Sequence, residues 1–277
     1  MNENPKISII MPVYNAVNFI QESIDSILKQ TFKNWELIII NDGSTDNTLS
    51  ILHIFVDSRI SITMNNHDFI ASLNKGLSLS KGKYIVRMDA DDIMLSERLQ
   101  TQYDYMESNP EIDICGSWVE TIGDSNSVIQ VPQDNIQIGR SMLLYNPIIH
   151  SSVIMKRSIF FNDSTNRYSY DYPCAEDYKL WTDLYLKGFK FNNIQKVLLQ
   201  YRRSKYQVTS RYNLEVNNSS LKIRIEYAEH LMEKMCIRKK IKSLIESLID
   251  LVNDGVIEID KYLIILYYLY NESSLEN

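Results

Sequence analysis

The chain has 277 residues, of which 44% are apolar and 23% charged, an ordinary balance for a soluble globular protein. This length predicts one large domain, or one domain with an appendage. The formal net charge of −6 gives no basis for the wide basic surface of a nucleic-acid-binding protein, so no nucleic-acid partner is expected.

The compartment is predicted from the cysteines and the apolar runs. Cys115, Cys174 and Cys236 lie far apart and are odd in number, which predicts reduced thiols of a cytosolic protein rather than disulfides or a zinc site. No signal peptide is expected, because residues 1–6 lead directly into a predicted strand. The longest apolar run, residues 262–270, is far shorter than the ~20 residues of a spanning helix. We therefore expect a cytoplasmic protein, soluble or bound at the inner face of the cell membrane.

Predicted strands and helices alternate through the first part of the chain. Mostly apolar runs predict strands at residues 7–11, which Pro12 stops, and at residues 35–40, 60–64 and 84–88. Helical spacing predicts helices at residues 16–29, 69–79 and 93–108, and one after residues 41–46 with Ser44, Thr45 or Asp46 as N-cap. Buried strands alternating with helices predict an α/β fold, with a mostly parallel central sheet and helices on both faces.

The pattern changes after residue 108. Strands are predicted at residues 113–119 and 148–155, the second of which carries His150, and a helix at residues 134–144. A further helix is predicted from Ala175, with Gly188 as its C-terminal stop.

A C-terminal helical extension is predicted from Asn213 onward. Its apolar residues form a broad stripe between residues 237 and 252, with basic residues at one end: Arg238, Lys239, Lys240 and Lys242. The stripe predicts packing against the main domain. A homodimer interface and a peripheral membrane contact are the alternatives.

The predicted strand at residues 84–88 runs straight into three carboxylates, Asp89, Asp91 and Asp92. Their charges repel at the end of a buried strand, so they need a cation or water. A hard divalent ion takes oxygen ligands and leaves positions for substrate phosphate, which suits Mg²⁺ or Mn²⁺. The alternative is a solvated acidic turn in which Asp92 caps the helix at residues 93–108.

Three polar loops follow predicted parallel strands, at residues 12–15, 41–46 and 89–92. Ligands of parallel sheets bind at the carboxyl ends of the strands. The sequence therefore predicts that the three loops converge on one rim of the sheet.

Four segments together resemble the family 2 glycosyltransferases. They are residues 8–15 (SIIMPVYN), 40–46 (INDGSTD), 88–92 (MDADD) and 175–178 (AEDY), and the resemblance spans residues 5–210. It implies the A-type glycosyltransferase fold, a Rossmann-like nucleotide-diphospho-sugar transferase fold. Residues 1–210 would then form the catalytic domain, with a nucleotide-binding half at residues 1–108 and an acceptor-binding half at residues 109–210. Residues 211–277 form the helical region beyond it.

The same resemblance implies an inverting reaction with a divalent metal, Mn²⁺ or Mg²⁺. The donor would be a nucleotide-sugar, most simply a UDP-sugar, and the acceptor a saccharide or a polyprenyl-linked saccharide. Such a reaction belongs to the synthesis of cell-surface polysaccharide, such as a capsule, or of glycolipid.

Matching positions carry over the family's donor-site roles. The resemblance implies that Asp42 contacts the uracil or ribose, and that Pro12, Tyr14 and Asn15 form the loop beneath the nucleoside. Asp89 matches the first carboxylate of the family's D-x-D motif, near the ribose and the sugar.

The metal and catalytic roles carry over in the same way. Asp91 matches the metal ligand that bridges to the diphosphate, Asp92 supports it, and Asp177 matches the general base of a Glu-Asp pair with Glu176. The chemistry agrees, because the acceptor hydroxyl must lose a proton on the face opposite the leaving diphosphate. The alternative is that the Glu-Asp pair merely complements the helix dipole.

Ser204 and Asp68 depart from the family pattern, and His150 has two possible roles. Ser204 stands where the family often has a histidine, so Arg202, Arg203 or Lys205 would neutralise the diphosphate instead. Asp68 replaces a common glycine beside the nucleoside pocket, and His150 is either an acceptor-site residue or a structural one.

Two other functions compete with the glycosyltransferase. A sugar-1-phosphate nucleotidyltransferase would need a glycine-rich loop after the first strand, and residues 12–16 contain no glycine. A catalytically degenerate nucleotide-sugar binding protein would not need Asp42, Asp91 and Asp177 together, although Ser204 and Asp68 keep it open.

Overall fold

The computed structural model describes residues 4–203, 213–234 and 239–273. Its strands are β1 Ile7–Val13, β2 Trp35–Asn41, β3 Ile60–Met64, β4 Tyr84–Arg87, β5 Ile93–Met94, β6 Ile114–Gly123, β7 Val128–Ile129, β8 Ile154–Lys156 and β9 Phe191–Arg203. Its helices are α1 Ile20–Leu28, α2 Thr48–Leu52, α3 Phe69–Leu79, α4 Arg98–Ser108, α5 Asn135–Ser141, α6 Ser158–Asn162, α7 Glu176–Leu186, α8 Asn213–Lys234, α9 Lys239–Asn253 and α10 Ile259–Ser273, with a short 3-10 helix at His150–Ser152.

One central sheet carries the strands in the order β3-β2-β1-β4-β8-β6-β9-β5, with β7 paired to β6. The strands β3, β2, β1 and β4 are parallel to one another. Beyond β4 the sheet is mixed, because β8 is antiparallel to β4 whereas β6 and β9 are parallel. The predicted α/β fold is confirmed, and its parallel character is concentrated in the N-terminal part of the sheet.

The parallel strands are apolar on both faces, and each face contributes to a different core. Ile10 of β1 and Ile85 of β4 belong to the core that also holds α3 and α7. Ile9 and Val86 point the other way, into the core that holds α1 and α4. Burial on both faces explains why these strands read as nearly continuous apolar runs.

Two predicted boundaries in the first half are wrong for identifiable reasons. β1 continues through Pro12 to Val13, because pairing with β4 ends at Ile10 and the missing N–H of proline breaks no ladder there. The helix predicted at residues 93–108 starts only at Arg98, because Ile93–Met94 forms β5 and pairs with β9.

Two local details also differ from the sequence-based expectation. α2 begins at Thr48 after Asn47, although Asp46 Oδ1 still accepts a hydrogen bond from the Thr48 N–H at 2.9 Å. His150 starts a 3-10 helix rather than lying in a strand, because Ser152 returns hydrogen bonds from its N–H and Oγ to the Ile149 carbonyl.

The C-terminal helices pack on the main domain. Tyr227 of α8, Ile245 and Leu248 of α9 and Leu263 of α10 are buried in the same core as Trp181 of α7. The described part of the apolar stripe thus faces the domain as predicted, while its basic end lies among side chains outside the described part. None of the described helices is long and apolar enough to cross a membrane.

Two further predictions fall partly or wholly outside the described residues. Cys115 and Cys174 are free thiols, whereas Cys236 is outside the described ranges. The predicted domain boundary at residue 210 lies within residues 204–212, which are also outside them, so it stays a prediction.

Gly82 allows β4 to approach β1, and its replacement tests that geometry. A Cβ there would lie 2.6 Å from the Ser8 nitrogen and 2.8 Å from the Ile7 carbonyl carbon, both backbone atoms. We expect Gly82→Ala to lower the free energy of unfolding by about 1–3 kcal/mol, because rigid backbone must move. Chemical denaturation measures this, with Lys81→Ala on the adjacent exposed residue as the control. Equal stability of Gly82→Ala and wild type would contradict the close approach.

Candidate active site

The three polar loops lie at the same edge of the sheet. Val13 is paired with Asn41 at the ends of β1 and β2, and Ile10 with Arg87 at the end of β4. The Asp42 N–H donates to the Val13 carbonyl at 2.7 Å, so the chain leaves both strands side by side. The placement agrees with the predicted convergence.

Asp42 is fixed by the start of α3. It is 3% exposed, and its Oδ1 accepts hydrogen bonds from the Asp68 N–H (2.8 Å), Ser72 Oγ (2.8 Å) and Asn65 Nδ2 (3.0 Å). Asp68, which replaces the family's glycine, is the N-cap of α3, with its Oδ1 accepting from the Ala71 N–H at 2.8 Å. The substitution therefore supports the loop that holds Asp42.

A stacked ring pair stands beside Asp42. The rings of Tyr14 and His67 are 4.0 Å apart between centroids and tilted by 31°, and both side chains are exposed. Gly43 has a positive φ of 77° and passes close to this pair, where a Cβ would lie 3.2 Å from the His67 nitrogen. Exposed aromatic faces of this kind suit a planar nucleobase.

Asn15 and Pro12 belong to the segment predicted to lie beneath the nucleoside. Asn15 Oδ1 accepts from the Thr45 N–H at 2.8 Å and more weakly from the Asp46 N–H at 3.4 Å, while the Asn15 N–H donates to Ser44 Oγ at 3.1 Å. Pro12 is buried within β1. Asn15 thus holds the first two loops together, and direct contact of Pro12 or Asn15 with a nucleotide stays a prediction.

The acidic segment, residues 89–92, begins next to a buried arginine. Arg87, 3% exposed, is ion-paired and hydrogen-bonded to Asp89. Burial and the charge of Asp89 raise the pKa of Asp91 to about 6. Burial and the charges of Asp89 and Asp91 raise the pKa of Asp92 well above its usual value. The segment therefore carries more negative charge than Arg87 balances.

A second arginine lies beneath the same segment. Arg98 is fully buried, and its guanidinium donates to the Arg87 carbonyl at 3.1 Å. Burial lowers the pKa of Arg98 to about 9, against the opposing attraction of Asp92.

Arg202 ties the acidic segment to the last strand. Its N–H donates to Asp92 Oδ1 and its Nε to the Asp91 carbonyl, both at 2.8 Å. Its guanidinium also pairs with Glu22 at 2.7 Å. Asp92 is therefore not a helix cap, and Arg202 is engaged in positioning the acidic loop.

The remaining residues predicted to neutralise the diphosphate lie at the end of β9 or beyond it. Arg203 is exposed at the end of β9. Ser204 and Lys205 lie outside the described residues, so their predicted roles stay predictions.

The carboxylates after β4 fit a metal site that a bound nucleotide would complete. No group of three or more His, Cys, Asp or Glu side chains within the described ranges forms a closed metal site. Mg²⁺ and Mn²⁺ bound with a nucleotide need only one or two carboxylates, since phosphates and water supply the other ligands. Asp91, half-buried beside the charge of Asp89, fits that mode because a cation would offset the surplus negative charge.

The Glu-Asp pair lies in the first turn of α7. Asp177 Oδ2 accepts from Asn146 Nδ2 at 2.9 Å, and Asp177 Oδ1 from the Tyr178 N–H at 2.7 Å. Burial raises the pKa of Asp177. Glu176 is 8% exposed, and burial together with the charge of Asp177 raises its pKa to about 7. Raised carboxylate pKa values are typical of proton-transfer sites.

His150 is held from two sides. Its Nε2 lies 2.8 Å from the Tyr168 hydroxyl, and its ring meets Trp181 edge-on at 5.9 Å. Burial and the charge of Arg87 push the pKa of His150 well below its usual value, so the ring is neutral. This environment fits the structural interpretation of His150.

Arg87 connects the two halves of the site. Its positive charge acts on the pKa values of Asp91, Glu176 and Asp177, which belong to separate segments of the chain. The structure thus brings the acidic loop and the Glu-Asp pair around one buried cation.

Several residues of this arrangement were missed by the sequence analysis. Arg87 and Arg98 fall within a predicted apolar strand and a predicted helix, although an arginine inside a buried strand is itself a signal. Asn146 and His67 carry no recognisable local pattern, since only long-range contacts bring them to the site.

The comparisons agree with the resemblance. The family model described as Glycosyl transferase family 2 matches residues 8–167. An uncharacterized glycosyltransferase of Haemophilus influenzae is 37% identical over 256 residues, covering 87% of this chain and 79% of the relative. The Escherichia coli protein WfgD, named UDP-Glc:alpha-D-GlcNAc-diphosphoundecaprenol beta-1,3-glucosyltransferase, is 33% identical, covering 73% of this chain and 77% of the relative.

A solved structure shares the fold. The mannosyltransferase PcManGT from Pyrobaculum calidifontis, in complex with GDP-Man and Mn²⁺, aligns with a TM-score of 0.59 at 13% identity. The alignment covers all of this chain and 88% of that one, so it includes the C-terminal helices.

The raised pKa of Glu176 predicts a pH-dependent stability. Because the pKa is about 7 in the folded chain against an ordinary 4.5, the folded state holds the proton more tightly. Its stabilising contribution is complete at low pH and is lost as the pH rises through 7. We therefore expect the free energy of unfolding of Glu176→Gln, taken relative to that of the wild type, to rise between pH 5 and pH 8 by at most about 3 kcal/mol.

Urea denaturation at the two pH values measures this difference. Glu111→Gln, on an exposed residue, is the surface control. A stability difference that is the same at both pH values would show that Glu176 does not titrate in this way.

Proposed function

The chain belongs to glycosyl transferase family 2, and on that premise we propose that it transfers a sugar from a UDP-sugar to a lipid-linked saccharide with inversion at the anomeric carbon. The observation that carries the proposal is the position of the acidic loop and Asp177 on separate elements around Arg87. The relative WfgD, which is named for a UDP-glucose donor and a diphosphoundecaprenol-linked acceptor, supports the choice of both substrates.

The nucleoside half of the donor would bind at the carboxyl ends of β1 and β2. Asp42, fixed by three hydrogen bonds to its Oδ1, would accept from the base or the ribose through the remaining oxygen. Tyr14 and His67 would supply the aromatic face for the base. Because this carboxylate is held in advance, little side-chain order is lost on binding.

Asp91, supported by Asp92, would hold a divalent cation, Mn²⁺ or Mg²⁺, against the diphosphate, with Asp89 near the ribose and the sugar. When bound, such a cation stabilises the negative charge on the leaving diphosphate. The protein's own contribution is to fix the loop, through the hydrogen bonds of Arg202 to Asp91 and Asp92. The complex of PcManGT with GDP-Man and Mn²⁺ supports metal use in this fold.

Asp177 would be the general base. The acceptor oxygen attacks the anomeric carbon while the bond to the diphosphate breaks, and the hydroxyl proton passes to the Asp177 carboxylate. Asn146 orients this carboxylate, and its raised pKa makes it a stronger base than a surface aspartate. One displacement inverts the anomeric centre, and no covalent enzyme intermediate is needed.

A lipid-linked acceptor also bears on location. Its diphosphate would lie at the inner face of the cell membrane, where the protein would work by peripheral contact. A role in cell-surface polysaccharide synthesis, such as a capsule, follows from that acceptor.

Metal dependence is tested by calorimetric titration of UDP with Mn²⁺ and then with EDTA. We expect binding with Mn²⁺, and a loss of at least about tenfold in affinity, roughly 1.4 kcal/mol, in EDTA or in Asp91→Ala. Asp104→Ala, an exposed aspartate of α4, is the matched control. Equal affinity with and without Mn²⁺ in the wild type would refute the metal assignment.

The general base is tested by Asp177→Asn, which keeps the size of the side chain and an oxygen that can accept from Asn146. We expect kcat for transfer to fall at least about 10²-fold while UDP binding is unchanged. The control is Asp183→Asn on the same helix, whose side chain is 44% exposed and paired with Lys179. Undiminished turnover in Asp177→Asn would remove Asp177 from the mechanism. UDP binding without any transfer by the wild type would favour the degenerate binding protein instead.

A further inference from the structure

A cavity lies between the catalytic domain and the C-terminal helices. Its volume is about 500 Å³, within the range of small-molecule sites. One wall is formed by residues 144–146 and Tyr178 of α7, and the other by α8 and by Asp260 of α10. The C-terminal helices therefore do more than cover the domain, because they close a space that the domain leaves open.

The lining is rich in groups that both donate and accept hydrogen bonds. Asn146, Asn217, Asn218 and Ser220 contribute amides and a hydroxyl. Sugar hydroxyls also donate and accept, so amide and hydroxyl side chains are suitable partners for them. Tyr145, 49% exposed at the same cavity, offers a flat aromatic face for the C–H face of a pyranose ring.

The charges of the cavity favour a neutral ligand over an anion. Arg224 pairs with Asp260 at 3.0 Å and donates to the Leu144 carbonyl at 3.3 Å. This guanidinium is already neutralised, so the cavity lacks the uncompensated cation that would recognise a diphosphate.

The cavity shares two residues with the surroundings of the candidate base. Asn146 lines it and also donates to Asp177 Oδ2 at 2.9 Å. Tyr178 lines it as well, and its N–H donates to Asp177 Oδ1 at 2.7 Å. Asp177 does not itself line the cavity, so Asn146 and Tyr178 connect a ligand bound here to the group that would take the acceptor's proton.

We propose that this cavity binds an uncharged sugar unit of the acceptor, so that α8 and α10 form part of the acceptor site. This inference rests on the proposed function. It assigns to the C-terminal helices a specificity role: they select the saccharide, while the N-terminal half of the chain selects the donor.

Ligand-observed saturation-transfer NMR tests the proposal, with UDP and Mn²⁺ present to occupy the donor site. The probes are the methyl glycosides of N-acetylglucosamine, glucose, galactose and mannose, with inorganic pyrophosphate as a competing anion. We expect at least one glycoside to bind the wild type, and Ser220→Trp, which fills the cavity, to weaken that binding at least tenfold. Val256→Trp, on an exposed residue outside the cavity, should bind like the wild type.

A second variant guards against misfolding of the first. Tyr145→Ala removes the aromatic face without adding volume, and it should also weaken glycoside binding. Tyr268→Ala, which removes an exposed tyrosine of α10 that does not line the cavity, is its control. Thermal melting and UDP titration of every variant report whether the fold and the donor site are intact.

The outcomes separate this inference from the proposed function. Binding of UDP by a wild type that binds no glycoside, or binds one equally well in Ser220→Trp and Tyr145→Ala, overturns the sugar site only. Displacement of the glycoside by pyrophosphate overturns it in favour of an anion site. Cavity-dependent glycoside binding by a chain that neither binds UDP nor transfers sugar supports the sugar site and refutes the proposed reaction.

Discussion

The balance of charge around Arg87 is the constraint on which the rest of the site depends. An arginine that is 3% exposed at the end of a central strand requires carboxylates around it, and Asp89 pairs with it directly. One cation does not balance the acidic loop, so burial and repulsion keep the pKa values of Asp91 and Asp92 raised. The same positive charge reaches Glu176 and Asp177 on α7. Donor loop and candidate base are therefore electrostatically one system, although different segments supply them.

Side-chain contacts between distant segments keep this system in place. Asn15 joins the loops after β1 and β2, and Arg202 joins the loop after β4 to the last strand. These contacts leave little freedom to the loops that we propose bind the nucleoside and the metal. Such preorganisation is what catalysis by charge stabilisation needs, since dipoles that are already aimed cost nothing to reorient during the reaction.

In our proposal the C-terminal helices form part of the acceptor site. They share a core with α7, the helix that carries the Glu-Asp pair, so the position of Asp177 and the shape of the neighbouring cavity are coupled through packing. If the proposal holds, a change in α8 alters which saccharide fits and leaves the proposed donor loops unchanged. Such a separation would let one scaffold serve different acceptors, because the proposed nucleoside-binding residues follow β1 and β2, whereas the cavity lies beside α7 and α8.

The sequence by itself determined the α/β fold, the parallel strands at residues 7–11, 35–40, 60–64 and 84–88, and the rim on which their loops meet. Periodicity and strand ends are local properties, and a parallel sheet places all its carboxyl ends at one edge. Its four motifs also identified the family. Only the tertiary structure decided that β5 interrupts the helix expected from residue 93, that Asp92 binds the N–H of Arg202 110 residues away, and that His150 is neutral against Tyr168. The cavity beside α8 was also decided only by the tertiary structure. These features arise from contacts between distant segments and from burial, and neither of these produces a periodic pattern in the sequence.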